Sequence, residues 1–152
     1  MRCYLVRHGD ALAAELDPRR PLSERGRADV AKLAQMAAAR DVSVAQICHS
    51  GILRAQETAE ILALSLRPPH GVRQIGGLLP EDDPIIGKAE IESSNEPTML
   101  IGHLPYMARL AALLVTGDAA RSIIEFAPAT MVGCSQVGSI WRIDWQINPA
   151  LS

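Results

Sequence analysis

The sequence contains little or none of several features that define common protein classes. Its 152 residues include no run of about 18 apolar residues, which a membrane helix requires. The phosphate-loop pattern GxxxxGK[ST], the dinucleotide fingerprint GxGxxG and the hydrolase elbow GxSxG are all missing. The net charge of −2 offers no general attraction for nucleic acid. These absences argue against a membrane protein, a phosphate-loop enzyme and a nucleic-acid-binding protein.

Cysteine and lysine are also scarce. The three cysteines form no CxxC pair, and the N-terminal residues lack the apolar core of a signal peptide. We therefore expect reduced thiols and a cytoplasmic protein. Only two of the fifteen basic residues are lysine, and the other thirteen are arginine, whose planar group binds phosphate and carboxylate oxygens in pairs. An arginine-rich genome explains most of the surface arginines. Their positions in the sequence therefore decide which arginines are candidates for binding phosphate.

Apolar periodicity divides the chain into alternating strands and helices. The predicted strands are residues 3–6, 44–48, 72–75, 99–101, 130–136 and 140–147. The predicted helices begin after a cap at Ser23 and end near residue 40, and then span residues 52–66, 85–92 and 105–115. This order predicts an α/β fold in which residues 1–152 form a single domain. We expect a three-layer αβα sandwich whose central sheet is mostly parallel, with an antiparallel hairpin at its edge.

Polar residues that can bind or react follow three of the predicted strands. They are Arg7 and His8 after the first strand, Ser50 and Arg54 after the second, and His103 after the fourth. In an open α/β sheet, ligands bind beyond the carboxyl ends of the strands. If these strands are parallel neighbours, two guanidinium groups and at least two imidazoles meet at one rim.

Such a rim suits a tetrahedral dianion, and phosphate or sulfate is expected to bind there. Arg7 and Arg54 can hold the phosphoryl oxygens, whereas two fixed arginines repel a metal ion. His8 and Asp10 leave zinc as an alternative, but we predict neither metal nor cofactor. Neutral His8 can attack phosphorus through a ring nitrogen, and the arginines should keep it unprotonated. His103, if cationic, would donate to the phosphoryl oxygens, and water would hydrolyse the phosphohistidine formed.

Four segments together resemble the histidine phosphatase superfamily, which includes the phosphoglycerate mutases. They are residues 7–9 (RHG), residues 20–26 (similar to RPLT-x-x-G), residues 50–59 (similar to SP-x-x-RA-x-QTA) and residues 102–105 (similar to GH-x-P). The short chain, the HLP form of the last segment and the ending at residues 145–149 are most similar to SixA-type phosphohistidine phosphatases. The resemblance implies a phosphoglycerate mutase-like fold. It also implies that His8 is the nucleophile and that Arg7, Arg54 and His103 form the phosphate pocket.

Two departures from the family pattern bear on the chemistry. Gly51 stands where the family usually has proline, which should loosen the turn but spare Arg54. Many members carry a glutamate after the third strand that protonates an alcohol leaving group, whereas Glu81 lies beyond that position. Glu81 is therefore a candidate general acid, with a solvated turn residue as the alternative. Arg20 and Ser50 are further substrate-binding candidates, and Ser50 is alternatively a helix cap.

These observations favour a phosphohistidine phosphatase that acts on a signalling or phosphocarrier protein. An imidazole leaves phosphorus more readily than an alkoxide does, so a pocket without a dependable acid suits P–N cleavage. By resemblance, the partner is a histidine phosphotransfer domain, and neither nucleic acid nor a membrane is expected to bind. Two alternatives remain open. One is a small-molecule phosphomonoesterase of the same superfamily, and the other is a phosphate-binding module without turnover.

Overall fold

Strands and helices alternate along most of the protein in the computed structural model, which describes residues 1–151. The strands are β1 (Arg2–Arg7), β2 (Gln46–His49), β3 (Val72–Gln74), β4 (Thr98–Gly102), β5 (Met131–Val137) and β6 (Ile140–Ile147). The helices are α1 (Glu24–Ala39), α2 (Leu53–Leu66), α3 (Ile85–Ser93) and α4 (Tyr106–Thr116), followed by a 3₁₀ turn at Pro149–Leu151. The α/β class that the sequence predicts is confirmed.

One boundary differs by two residues from the prediction. The second strand was expected over residues 44–48, but β2 begins at Gln46. Ala45 makes its backbone hydrogen bonds outside the β2 ladder: its N–H donates to the carbonyl of Pro97, and its carbonyl accepts from the N–H of His70. Val44 and Ala45 are nevertheless buried. The apolar pattern at these two residues therefore indicates burial and not regular strand pairing.

The strands of residues 1–151 form one sheet in the order β3-β2-β4-β1-β5-β6. The strands β3, β2, β4 and β1 are mutually parallel, and β5 pairs antiparallel with β1 and β6 with β5. The mostly parallel sheet with an antiparallel edge is therefore confirmed. Because β4 lies between β2 and β1, the three strands that precede the candidate residues are direct neighbours.

Two hydrophobic cores cover the two faces of the sheet. Along β1, Tyr4 and Val6 pack into the core that includes α1 and α2, while Cys3 and Leu5 pack into the core that includes α4. This alternation follows from the two-residue period of a strand, and it makes the molecule a three-layer αβα sandwich. All three cysteines are unpaired and buried in the second core, where they act as small apolar residues.

The N-terminus of α1 brings the loop after β1 close to the sheet. The Ser23 hydroxyl accepts a hydrogen bond from the Gly26 N–H at 2.9 Å, which confirms the predicted cap. The Ser23 N–H donates to the carbonyl of Asp10 at 3.0 Å. This contact ties the start of α1 to the segment that follows His8. Within the described residues, no helix has the length and apolarity needed to cross a membrane.

Candidate active site

The carboxyl ends of β1, β4 and β2 lie side by side at one edge of the sheet. Arg7 is in register with Gly102 across the β1–β4 pair, and His49 is in register with Ile101 across the β2–β4 pair. The His8 N–H also donates to the Gly102 carbonyl at 3.1 Å. The residues that follow the three strands therefore share one rim, as the sequence predicted.

His8 is held as a neutral ring with a defined tautomer. Its side chain is buried, and Nδ1 lies 2.7 Å from the Gly9 carbonyl oxygen. Since a carbonyl only accepts, Nδ1 carries the proton and Nε2 of the neutral ring keeps its lone pair. Burial lowers the pKa of His8 to about 4, and the positive charges of Arg54, Arg7 and Arg20 act in the same direction. The sequence predicts that the arginines keep His8 unprotonated, and they do act in that direction, but burial is the larger cause.

His103 faces His8 across the same rim. The two ring centroids are 5.0 Å apart, and Nε2 of His103 lies 2.7 Å from Oγ of Ser50. The Ser50 oxygen also accepts the Ile52 N–H at 3.2 Å, and its own proton can point at Nε2 of His103. When Ser50 donates in this way, the proton of the neutral His103 ring is on Nδ1, which is buried and has no hydrogen-bond partner among the described residues.

The surroundings of His103 disfavour the cationic form of its ring. Burial, followed by the neighbouring His8 and the charges of Arg54 and Arg7, lowers the pKa of His103 to about 3. The ring is therefore neutral at pH 7 rather than cationic. It can still donate a hydrogen bond to an oxyanion through Nδ1–H.

Arg7 and Arg54 both place part of their guanidinium groups inside the protein. A terminal nitrogen of Arg7 donates to the Phe126 carbonyl at 2.8 Å, which anchors the side chain. The Nε atoms of Arg7 and Arg54 are buried and have no hydrogen-bond partner among residues 1–151. Burial also lowers the pKa of each arginine, although both remain cations at any ordinary pH.

A third arginine, Arg20, lies close enough to affect the site. Its charge contributes to the lowered pKa of both His8 and Arg54. Its backbone has a φ of 48°, in the left-handed region that non-glycine residues seldom occupy, and its Nε donates to the Leu12 carbonyl at 3.0 Å. Strained backbone of this kind is concentrated at functional sites, so Arg20 remains a binding candidate.

The two weaker candidates have different surroundings. Ser50 is not the N-cap of α2, which is Ile52, because the Ser50 hydroxyl is engaged with His103 and the Ile52 N–H. Glu81 is exposed in the turn before α3. Among the hydrogen bonds of the described residues, none joins Glu81 to the arginines or histidines of the rim. The structure thus brings Ser50 into the site and leaves Glu81 in solvent.

Two contributors to the site were not foreseen. The Phe126 contact uses a backbone carbonyl, which leaves no signal in the side-chain pattern. Thr58 lies in the segment that resembles a family motif, but no role was assigned to it. Its Oγ accepts the Gly9 N–H at 3.1 Å and donates to the Arg54 carbonyl at 2.8 Å. The available sequence signal was a hydroxyl residue four positions after Arg54, which is one helical turn.

The hydrogen-bonding groups of the rim match an oxyanion. Buried donors on Arg7, Arg54 and His103 are unpartnered within the described residues, and an anion with several oxygens can accept from all of them. The described residues contain no group of three or more histidine, cysteine, aspartate or glutamate side chains that could hold a metal ion. The geometry therefore fits a phosphoryl group bound beside His8.

Comparison with known proteins agrees with this geometry. Residues 3–74 match the model of the histidine phosphatase superfamily, branch 1. The chain is 29% identical to the phosphohistidine phosphatase SixA of Escherichia coli (strain K12), over 98% of this chain and 94% of that protein.

Solved structures share the fold over nearly the whole chain. The protein histidine phosphatase SixA complexed with tungstate superposes with a TM-score of 0.86 at 25% identity, covering 99% of each chain. A mycobacterial glucosyl-3-phosphoglycerate phosphatase in complex with VO₃ has a TM-score of 0.70 at 18% identity, covering 94% of this chain and 96% of that one. The fold is therefore shared by phosphatases whose names indicate a protein substrate and a small-molecule substrate.

Proposed function

We propose that this chain, a member of the histidine phosphatase superfamily, removes phosphoryl groups from phosphohistidine on a signalling or phosphocarrier protein. Homology supports the coarser activity, that of a phosphatase. The observation that carries the proposal is the convergence of unpartnered buried donors around His8. Arg7 and Arg54 lie close enough to lower the pKa of both His8 and His103, and their Nε atoms and His103 Nδ1 are buried without partners among the described residues. A tetrahedral oxyanion bound there would accept hydrogen bonds from these donors and would present its phosphorus to the unprotonated Nε2 of His8.

The first step transfers the phosphoryl group to His8. Its Nε2 attacks phosphorus, and the P–N bond of the substrate breaks with its electron pair moving to the leaving ring nitrogen. When the other nitrogen of that ring already carries a proton, the ring leaves as a neutral imidazole. The Gly9 carbonyl then stabilises the positive charge on the phosphorylated His8 ring through Nδ1–H. Arg7, Arg54 and His103 hold the equatorial oxygens as charge develops.

The second step regenerates the enzyme. Water attacks phosphorus, and the bond to His8 Nε2 breaks with its electron pair returning to the ring. Both water protons leave with the product as dihydrogen phosphate, and His8 returns to its neutral form with a proton on Nδ1. Neither step needs a proton donor for the leaving group, so an exposed Glu81 has no required part in the reaction.

The exposure of Glu81 also supports the preference for a P–N bond. A general acid contributes about 100- to 10,000-fold when an alkoxide leaves. A solvent-exposed carboxyl outside the hydrogen-bonded rim offers no such help to a phosphate ester. The small-molecule phosphomonoesterase remains the second candidate, because the mycobacterial glucosyl-3-phosphoglycerate phosphatase has the same fold.

Parallel assays of two substrates test the proposal. Phosphate release is measured from a phosphorylated histidine phosphotransfer domain and from an aryl phosphate, for the wild type, Glu81→Gln and Asp83→Asn. Asp83 is an exposed acid in the same turn and serves as the matched control. We expect kcat/KM for the phosphoprotein to exceed that for the ester by about 100-fold or more, with little effect of either variant.

Other outcomes would favour the alternatives. Faster turnover of the ester, lost in Glu81→Gln but kept in Asp83→Asn, would support a small-molecule phosphomonoesterase with Glu81 as its acid. Tight binding of the phosphoprotein without release of phosphate would support a binding module. The predicted cytoplasmic location and the identity of the partner belong to the same proposal and stay predictions.

A further inference from the structure

Thr58 is a polar residue with no exposed surface in the first turns of α2, and the mechanism above does not use it. Its hydroxyl makes two hydrogen bonds, donating to the Arg54 carbonyl at 2.8 Å and accepting the Gly9 N–H at 3.1 Å. A backbone N–H can only donate and a carbonyl can only accept, so the direction of both bonds is fixed. One side chain therefore joins the helix that carries Arg54 to the segment that carries His8.

The chain of hydrogen bonds continues to the nucleophile. Gly9, whose N–H is held by Thr58, uses its own carbonyl to accept Nδ1–H of His8 at 2.7 Å. Glycine has unusual backbone freedom, so its carbonyl direction depends on contacts with its surroundings. Packing also restricts Gly9, since an added Cβ would lie 2.7 Å from Cγ2 of Val30 in α1. Gly9 is thus fixed between α1 and α2, and Thr58 supplies the hydrogen bond on the α2 side.

From this geometry, and resting on the proposed role of His8 as nucleophile, we propose that Thr58 is a positioning residue for the phosphoryl transfer. It holds the Gly9 amide so that the Gly9 carbonyl selects the tautomer and the direction of the His8 ring. The same hydroxyl is anchored on the Arg54 carbonyl of α2, so the helix provides the fixed point from which Thr58 holds Gly9. Thr58 touches neither the phosphoryl group nor the attacking atom.

A threonine in a helix can also bond the carbonyl four residues earlier for purely local reasons. The chain contains such a case in Thr116 of α4. Its Oγ donates to the Ala112 carbonyl at 2.7 Å and accepts the Asp118 N–H at 3.1 Å. Thr116 lies at the end of α4 away from His103. It provides a matched control with the same two kinds of hydrogen bond and no link to the site.

The test compares Thr58→Val, Thr58→Ser and Thr116→Val. Valine keeps the shape of threonine but removes both hydrogen bonds, whereas serine keeps the hydroxyl. Phosphoryl transfer to the enzyme is followed in a single turnover with a phosphorylated histidine phosphotransfer domain, and oxyanion binding is followed by tungstate titration. We expect Thr58→Val to slow transfer by about 10- to 100-fold, because small displacements of a reacting group have effects of this size.

The remaining measurements separate positioning from folding. In Thr58→Val the tungstate Kd should stay within about threefold of the wild type, since the anion donors are intact. Thr58→Ser should recover the transfer rate to within about threefold, and Thr116→Val should match the wild type. Equal losses of transfer rate and tungstate affinity in Thr58→Val, or an unchanged rate, would overturn the proposal.

Two further results keep the test decisive. If Thr58→Val does not fold, ¹⁵N spectra of His8 in the wild type and Thr58→Ser are read instead. Both should show a protonated Nδ1 and an unprotonated Nε2 at neutral pH, and the opposite tautomer would contradict the proposal. His8→Ala distinguishes the two hypotheses, because transfer that survives in His8→Ala overturns the proposed function. A wild-type rate in Thr58→Val alongside an inactive His8→Ala overturns only the role of Thr58.

Discussion

Two buried histidines that stay neutral define the site at the level of single residues. His8 and His103 are 8% and 2% exposed, and each lies near positively charged arginines. Both conditions favour the uncharged ring. A neutral His8 is needed for attack, and a neutral His103 avoids adding a further positive charge beside the nucleophile. The folded state therefore lowers the pKa of both rings.

Because the pKa values of His8 and His103 are lowered on folding, the free energy of unfolding depends on pH. The pKa is about 4 for His8 and about 3 for His103, whereas a histidine in the unfolded chain titrates near 6.5. Between these values the unfolded state binds more protons, so the free energy of unfolding falls as pH falls. We expect a loss of about 3 to 6 kcal/mol between pH 7 and pH 4, measured by urea unfolding without phosphate.

The double variant His8→Gln/His103→Gln controls for carboxylates, which also titrate in this range. Glutamine has a similar shape but no proton to take up, so the double variant should lose much less stability between the same two pH values. An identical pH dependence in the wild type and the double variant would show that the two rings titrate normally in the folded protein.

Residue types at strand ends could be predicted from the sequence, but their hydrogen-bond partners could not. Arg7, His8 and His103 stand out because each is a polar residue within two positions of the end of an apolar run. The anchor of Arg7 is a backbone carbonyl, and the partner of His103 is a serine 53 positions earlier in the chain. Such contacts depend on three-dimensional placement, and no local pattern marks them.

At the level of elements, the helices α1 and α2 fix the loop after β1 from two sides. Helix α2 holds the Gly9 N–H through Thr58, and α1 approaches the next residue through Gly26. A Cβ added to Gly26 would lie 2.0 Å from the carbonyl oxygen of Asp10, which is far closer than atoms tolerate. The absence of a side chain at Gly26 therefore lets α1 pack directly against the loop that carries His8.

Gly26→Ala tests this close approach. The added methyl group should displace Asp10 and with it the His8 segment, because neither the helix nor the loop backbone can yield easily. We expect the free energy of unfolding to fall by about 1–3 kcal/mol, as in other overpacked sites. Phosphoryl transfer should slow by about 10-fold or more, since the nucleophile moves with the loop.

The control for this prediction is Ala28→Gly, two positions further along α1 and exposed. It should reduce stability by about 1 kcal/mol through helix propensity alone and leave the transfer rate unchanged. If Gly26→Ala retained both the free energy of unfolding and the phosphoryl-transfer rate of the wild type, the close contact between α1 and the loop would not contribute to stability or to positioning of His8.

For the whole molecule, the order of strands determines that the site exists at all. The sequence indicated which strands carry reactive residues, but it did not indicate which strands are neighbours. In the sheet, β4 lies between β1 and β2, which puts Ser50, His103 and His8 at adjacent strand ends. This order involves strands far apart in the chain, so it is a property of the complete fold rather than of any segment. The alternation of strands and helices along the chain predicted the three layers of the fold. The contact between the candidate residues depends on the strand order of the assembled sheet.

Capture of the phosphorylated enzyme shows directly whether His8 carries the phosphoryl group. The wild type and His8→Gln are mixed with a ³²P-phosphorylated histidine phosphotransfer domain and quenched in alkali within milliseconds to seconds. We expect transient label on the peptide that contains His8 in the wild type and no label on the corresponding peptide of His8→Gln. Phosphate release without label on His8, or equal labelling of His8→Gln, would contradict His8 as the nucleophile.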